Sequence, residues 1–183
     1  ITNHALFFSD LALRSKAVGF LPDYRHVVLD EAHNAEDVAA DHFGVSLSEG
    51  RVMHLLSTLY QSKTGKGYLP RLQAATGDAA GVDRAVQLVL AAENASRAFF
   101  EPLVVFQRQN RAGRIRAPGV TQNTLTPAMR DLAMRLKSLR EKIPAEPGAK
   151  NEADRFELNA YAIRAEEIAA EAQVLVDQTM PGC

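Results

Sequence analysis

The stretch TPAMRDLAMRLKSLREKI, residues 126–143, decides how this chain folds. Thr126 followed by Pro127 reads as a helix N-cap and a first-turn proline. Met129, Leu132, Leu136, Leu139 and Ile143 then recur at spacings of 3, 4, 3 and 4, which lays one apolar stripe along an α-helix. Pro144 to Gly148 is a breaker. Beyond it Leu158, Tyr161, Ala165, Ile168, Ala172 and Leu175 repeat the rhythm. Two such stripes joined by a short loop predict an antiparallel helical hairpin with coiled-coil-like packing. Charge agrees with that pairing: residues 127–142 carry five basic side chains against two acids, and residues 151–180 carry seven acids against Arg155 and Arg164. Exposed ion pairs contribute only about 0.2–1 kcal/mol each, so packing must hold the hairpin together.

Outward from the hairpin the pattern stays helical. Gly81 to about Gln109 reads as a long helix with Pro102 inside it, where a kink or a break is expected. Arg51 to Lys63 places Val52, Leu55, Leu56, Leu59 and Tyr60 on one face, and Thr64 to Pro70 ends that helix. The first 34 residues differ in character. Ala5 to Ala17 reads as a short helix, Gly19 to Tyr24 as a turn carrying Pro22 and Asp23, and His26 to Leu29 as a brief strand with β-branched Val27 and Val28. A strand followed at once by acids is the α/β arrangement in which ligands sit at the carboxyl end of a parallel strand. No internal repeat or low-complexity tract appears.

Composition narrows the function classes. At 183 residues with 46% hydrophobic and 23% charged side chains, the chain has a globular composition and enough length for a sizeable core. A net charge of -1 argues against whole-molecule attraction to nucleic acid, so any such binding must come from a local patch. Cys183 is the only cysteine; neither a four-cysteine zinc site nor a four-cysteine iron–sulfur cluster can be built from this chain alone. A cytoplasmic location is expected. No apolar run approaches the roughly 18 residues of a membrane span, so no membrane partner is expected. The chain opens on Ile1-Thr2-Asn3-His4 and its first methionine is Met53, which reads as a segment cut from a longer protein.

The chemistry is concentrated in Val27-Val28-Leu29-Asp30-Glu31-Ala32-His33-Asn34. An ATPase needs one carboxylate to hold Mg²⁺, usually through water, and a group to orient or deprotonate the attacking water. Adjacent acids at the end of a buried strand supply both from one rigid element. Asp30 takes the metal role, Glu31 the water-activating role, and His33 faces away from the nucleotide to relay its state. The plainer alternative is an acidic turn at the start of a helix near Asn34.

Taken together, Thr2-Asn3-His4-Ala5-Leu6, the short helix, the Leu-Pro-Asp turn and the segment Val27–Asn34 followed by Glu36-Asp37 resemble the DinG/XPD-type superfamily 2 DEAH-box DNA helicases. The resemblance implies a mainly α chain. Residues 1–40 would be a short α/β fragment of a RecA-like motor domain, and residues 41–183 a helical arch-type insertion domain. It implies an ATP-dependent, 5′ to 3′ helicase acting in repair or replication, with ATP and Mg²⁺ as cofactors of the parent protein. The arch would guide single-stranded DNA, and the remaining helicase domains would be partners. Many relatives carry an iron–sulfur cluster upstream of this segment; nothing here supports one. The chain departs from an ATP-binding protein in one respect. A Walker A loop, G-x-x-x-x-G-K-[ST], is absent, because Gly65-Lys66 has Tyr60 where the first glycine belongs and Gly67 where Ser or Thr belongs. The segment alone is therefore expected to be inactive.

Other candidates are fewer. Arg108, Arg111, Arg114 and Arg116 form a window without acids that would neutralise successive phosphates of a single strand, or else form a solvated loop. Asn3 and His4 are DNA-contact candidates by family position only. His26, His33 and His42 with Asp30 or Asp41 match no zinc pattern. The rival reading is a non-catalytic helical docking module that binds DNA or a protein partner. Self-association is a further expectation, since the apolar segment before Asp30 lacks strand neighbours within this chain.

Overall fold

A computed structural model describes residues 1–14, 17–110, 115, 118–144 and 152–178, with the side chains of residues 74 and 75 left aside. The chain is mainly α. Its helices are α1 (His4–Arg14), α2 (Ala35–Phe43), α3 (Glu49–Leu59), α4 (Tyr68–Thr76), α5 (Ala79–Gln109), α6 (Leu125–Lys142) and α7 (Glu152–Asp177), with a 3₁₀ turn at Ala32–Asn34. They fall into two compact units, residues 1–46 and residues from Leu47 onward.

The second unit is built on the hairpin. Met129, Leu132, Ala133, Leu136 and Leu139 of α6 are buried with Leu158, Ala162, Ala165, Ile168, Ala169 and Ala172 of α7. Alanine dominates the α7 side of that seam, so the leucines of α6 sit close to the α7 backbone. Lys137 pairs with Glu166 at 2.5 Å where both side chains are exposed, and Arg140 donates to the part-buried Asn159 at 2.6 Å. Helix α5 covers the opposite side of α6 with Val82, Ala85, Val89, Ala92 and Phe99. Helix α3 contributes Val52, Leu55, Leu56 and Leu59 to the same core, and Arg51 clamps it to Glu171 of α7 at 2.6 Å.

Three local readings change. Thr126 does not cap α6. The helix begins two residues earlier, at Leu125, and Asn123 Oδ1 accepts from the Thr126 amide at 3.2 Å. The Thr126 hydroxyl is buried and donates instead to the Ala169 carbonyl of α7 at 2.9 Å. Pro102 does not break α5, which runs without interruption across it. Proline removes the amide that would bond the carbonyl of Ala98, at a cost of about 3 kcal/mol. Burial of Phe99, packing of Leu103 against the core and a bond from the Thr121 hydroxyl to the Phe99 carbonyl at 2.7 Å hold the helix through that point.

The stretch after Leu59 is a tight turn followed by a helix that the residue pattern did not announce. The turn is closed by Gln61 N donating to Lys66 O at 2.7 Å. Gly67 has φ 145, and a Cβ there would lie 2.5 Å from the Leu59 carbonyl oxygen, so only glycine fits. Helix α4 follows at once and buries Tyr68, Leu69 and Leu72. Pro70 lies in its first turn, where no intrahelical donor is required. The Tyr68 hydroxyl donates to the Asp154 carbonyl of α7 at 3.0 Å, and burial together with that acid pushes the phenol pKa up. At the start of α5, Asp78 accepts from the Gly81 amide at 2.9 Å and meets Lys142 of α6 at 2.5 Å. The Lys142 ammonium holds this carboxyl below its ordinary value.

The first unit corrects the sequence reading at its centre. Val27-Val28-Leu29 is not a strand: among the described residues no named strand occurs, and the one isolated bridge is Gln61 with Lys66. A β-strand needs neighbours for its amides and carbonyls, and no other apolar β-branched run lies within residues 1–46 to supply one. The unit is held by helices instead. Phe7, Phe8 and Tyr24 cluster with ring centroids 5.2 and 5.8 Å apart, and Phe8 meets Phe43 of α2 edge-on at 6.1 Å.

The seam makes a clear demand on substitutions. Leu136→Ala, at a fully buried position, is expected to cost about 2–5 kcal/mol in urea unfolding, whereas Met134→Ala, exposed two residues earlier, should stay within about 0.5 kcal/mol.

Candidate functional site

Asp30, Glu31 and His33 lie in one tight turn that leads into α2. The Glu31 amide donates to Asp30 Oδ1 at 3.0 Å, and the Asn34 amide donates to the Glu31 carbonyl at 3.0 Å. Glu31 itself has φ 50 and ψ 46, a left-handed conformation that costs a residue with a side chain about 1–2 kcal/mol. That backbone turn separates the directions of the two adjacent acids from those they would have in a regular strand. His33 Nδ1 lies 3.2 Å from Glu31 Oε2. Both side chains are about 70% exposed, so the pair contributes little to stability and stays accessible to a ligand. Ala35 follows as the first residue of α2, and Glu36 and Asp37 occupy its first turn, where acids favour the helix dipole.

What holds this turn in place was missed by the residue pattern. Asp10 is the one buried side chain of α1. Its Oδ1 accepts from the amides of Phe20 and Leu21 at 2.8 and 2.9 Å, and its Oδ2 accepts from Arg14 Nε at 2.5 Å. Arg14 then donates to the Leu21 carbonyl at 2.6 Å and to Asp23 at 3.0 Å, with its guanidinium over the Tyr24 ring. Burial acts to raise the Asp10 pKa. The bonds from Leu21, Arg14 and Phe20 outweigh it and bring the carboxyl down to about 2. The Gly19–Tyr24 turn is thus bolted to α1, and the segment that delivers Asp30 starts from a fixed point. The only hint in the sequence is the i, i+4 spacing of Asp10 and Arg14.

The other candidates are dispersed. Asn3 caps α1, its Oδ1 accepting from the Leu6 amide at 2.8 Å, and His4 is the first residue of that helix. Arg108 is exposed in the last turn of α5, where a cation complements the helix dipole. Arg111, Arg114 and Arg116 lie outside the described residues, as does Cys183. Among the described residues no group of three or more His, Cys, Asp or Glu side chains converges on a metal position. The oxygen donors of Asp30 suit Mg²⁺, which is commonly held by one or two carboxylates with water and phosphate completing its shell. Among the described residues no helix is long and apolar enough to cross a membrane.

Comparison with known proteins finds similarity over part of the chain. Across 56 residues, 30% of this sequence, it is 36% identical to the ATP-dependent DNA helicase YoaA of Haemophilus influenzae. It is 34% identical, again over 56 residues and 30% of the chain, to the protein of the same name from Escherichia coli. The matched stretch is 9% of each of those proteins, so the chain spans a small fraction of their length. No family model and no solved structure matches. This partial similarity relates the chain to ATP-dependent DNA helicases.

The buried carboxylate of the first unit sets a pH window. The folded Asp10 carboxyl is held at about 2, below the ordinary 3.8, so its stabilisation is fully present above the higher value and is lost as pH falls through the lower one. The amide resonances of Phe20 and Leu21 are expected to shift between those limits. In Asp10→Asn they should already be displaced at neutral pH.

Proposed function

We propose that this chain is a segment of an ATP-dependent DNA helicase of DinG/XPD type, with Asp30 and Glu31 as the acids of ATP hydrolysis. The observation that carries the reading is a chain holding Asp30-Glu31-Ala32-His33 that matches two ATP-dependent DNA helicases over 56 residues. Asp30 is the residue that would hold Mg²⁺, which when bound would supply charge neutralisation at the phosphates. Glu31 orients the attacking water and accepts its proton. His33, within reach of Glu31, links the state of that carboxylate to a neighbouring surface. The phosphate-binding loop, absent between residues 1 and 183, belongs to another part of the longer protein.

In this proposal the helical unit from Leu47 onward is the arch that guides single-stranded DNA. A rigid wall is what such a part requires, and the support for it is the self-contained core shared by α3 to α7. Arg108, Arg111, Arg114 and Arg116 are the phosphate contacts, and movement 5′ to 3′ in repair or replication is the activity proposed for the whole. The second reading, a helical docking module without a motor, draws on the same self-contained core.

Two measurements separate these readings. In the full-length protein, Glu31→Gln should abolish ATP turnover stimulated by single-stranded DNA while ATP binding persists; normal turnover would remove Glu31 from the mechanism. In the 183-residue chain, Arg108, Arg111 and Arg114 changed together to Ala should weaken single-strand binding. The slope of log K against log salt should flatten by about 0.7 for each phosphate that the arginines no longer neutralise. An unchanged slope would return the window to a solvated loop.

A further inference from the structure

Tyr68 of α4 and Tyr161 of α7 meet with ring centroids 5.1 Å apart, and each ring carries a guanidinium. Arg71 lies over Tyr68 at 5.7 Å and Arg164 over Tyr161 at 5.8 Å. Tyr68 is buried and its hydroxyl is bonded to Asp154, so the ring pair is a fixed base under the two cations. Both arginines are exposed, and among the described residues neither guanidinium has a hydrogen bond or a carboxylate in ion-pair reach. Other cations of the unit are spent: Arg51, Lys137 and Lys142 each pair with an acid. Stacking on a ring uses the face of a guanidinium and leaves its edge of N–H donors open. Two cations held in this way suit oxyanions, and phosphate in particular, through charge-assisted bonds.

The surroundings favour a polymer of such anions. Residues 50–77 contain Arg51, His54, Lys63, Lys66 and Arg71 and no acid, and Lys63 and Lys66 stand exposed in the turn that leads into α4. Burial raises the Tyr161 phenol and Glu157 adds to it, while Arg164 and Arg71 both act to lower it, so both cations are felt at one ring. Glu157 also acts on Tyr68, yet it pairs with neither arginine. The cluster stands apart from the ends of the unit. Leu47 and Gln178 line one apolar pocket, whereas Tyr161 lies about 22 Å along α7 from Val176 at the rise of an α-helix.

We infer that Arg71 and Arg164 form a nucleic-acid contact on the helical unit, binding phosphates of a single strand from the Tyr68–Tyr161 base. The site is separate from the arginine window that begins at Arg108. That the strand is single-stranded DNA rests on the helicase reading; the phosphate contact rests on the two open guanidiniums.

Fluorescence anisotropy of a labelled oligothymidylate with the 183-residue chain is expected to show binding that weakens with salt. Arg71→Ala/Arg164→Ala should raise the dissociation constant about tenfold and flatten the slope of log K against log salt by about 1.4, the effect of two phosphates. Both positions are exposed, so helix content and the urea midpoint should hold. Glu157→Gln should tighten binding, and Tyr161→Phe, which keeps the ring under Arg164, should leave it unchanged. A duplex of the same length should bind more weakly and lose less from the double substitution. An unchanged slope in the double variant overturns the inference, as does a chain that binds no oligothymidylate at low salt. Equal loss on the duplex overturns the single-strand assignment. A flattened slope here, together with normal turnover in Glu31→Gln, would count against the hydrolysis reading and leave this contact standing.

Discussion

The close approach of α6 to α7 is the interaction on which the second unit rests. It exists because α7 presents Ala162, Ala165, Ala169 and Ala172 to the seam while α6 presents Leu132, Leu136 and Leu139. Small residues on one side let large ones on the other reach the opposing backbone, which raises packing density without leaving voids. The same proximity makes the Thr126 hydroxyl a cross-helix donor to Ala169 and allows Arg155 of α7 to bond the carbonyl of Ile143 just beyond α6. Once the seam is closed, α6 offers its other face to α5, and α3 and α4 fill the remaining apolar surface. The ion pairs lie around this core rather than within it.

The first unit is organised by the opposite kind of constraint. Its fixed point is a buried charge, Asp10, whose oxygens are met by two amides and a guanidinium. An unpartnered buried carboxylate would be strongly unfavourable, so this arrangement tolerates few alternatives for the turn that follows α1. That turn sets where the segment 25–29 begins, and the segment sets where Asp30 and Glu31 emerge. Asp30 and Glu31 themselves are exposed and lightly bonded. The carboxylate that stabilises this unit is therefore a different one from the two proposed to act in hydrolysis.

What the sequence by itself determined is whatever depends on a repeating local pattern. The 3–4 spacing of leucines and alanines between Met129 and Ala172 was enough to foresee the helical hairpin, because burial of one stripe leaves a helix a single favourable orientation. The Asp30-Glu31-Ala32-His33 order likewise named the chemistry to look for. What only the tertiary structure decided involves partners distant in sequence. The β-branched run Val27-Val28-Leu29 has strand propensity, yet propensity cannot supply the second strand a ladder needs. Pro102 is a site where a helix is expected to kink or break, yet long-range packing around Phe99 and Thr121 carries α5 across it without a break. Thr126 looks like a cap and instead bonds α7. Asp10 is marked in the chain only by its i, i+4 spacing to Arg14, because its burial follows from the return of Phe20 and Leu21 to α1, an approach that only folding creates.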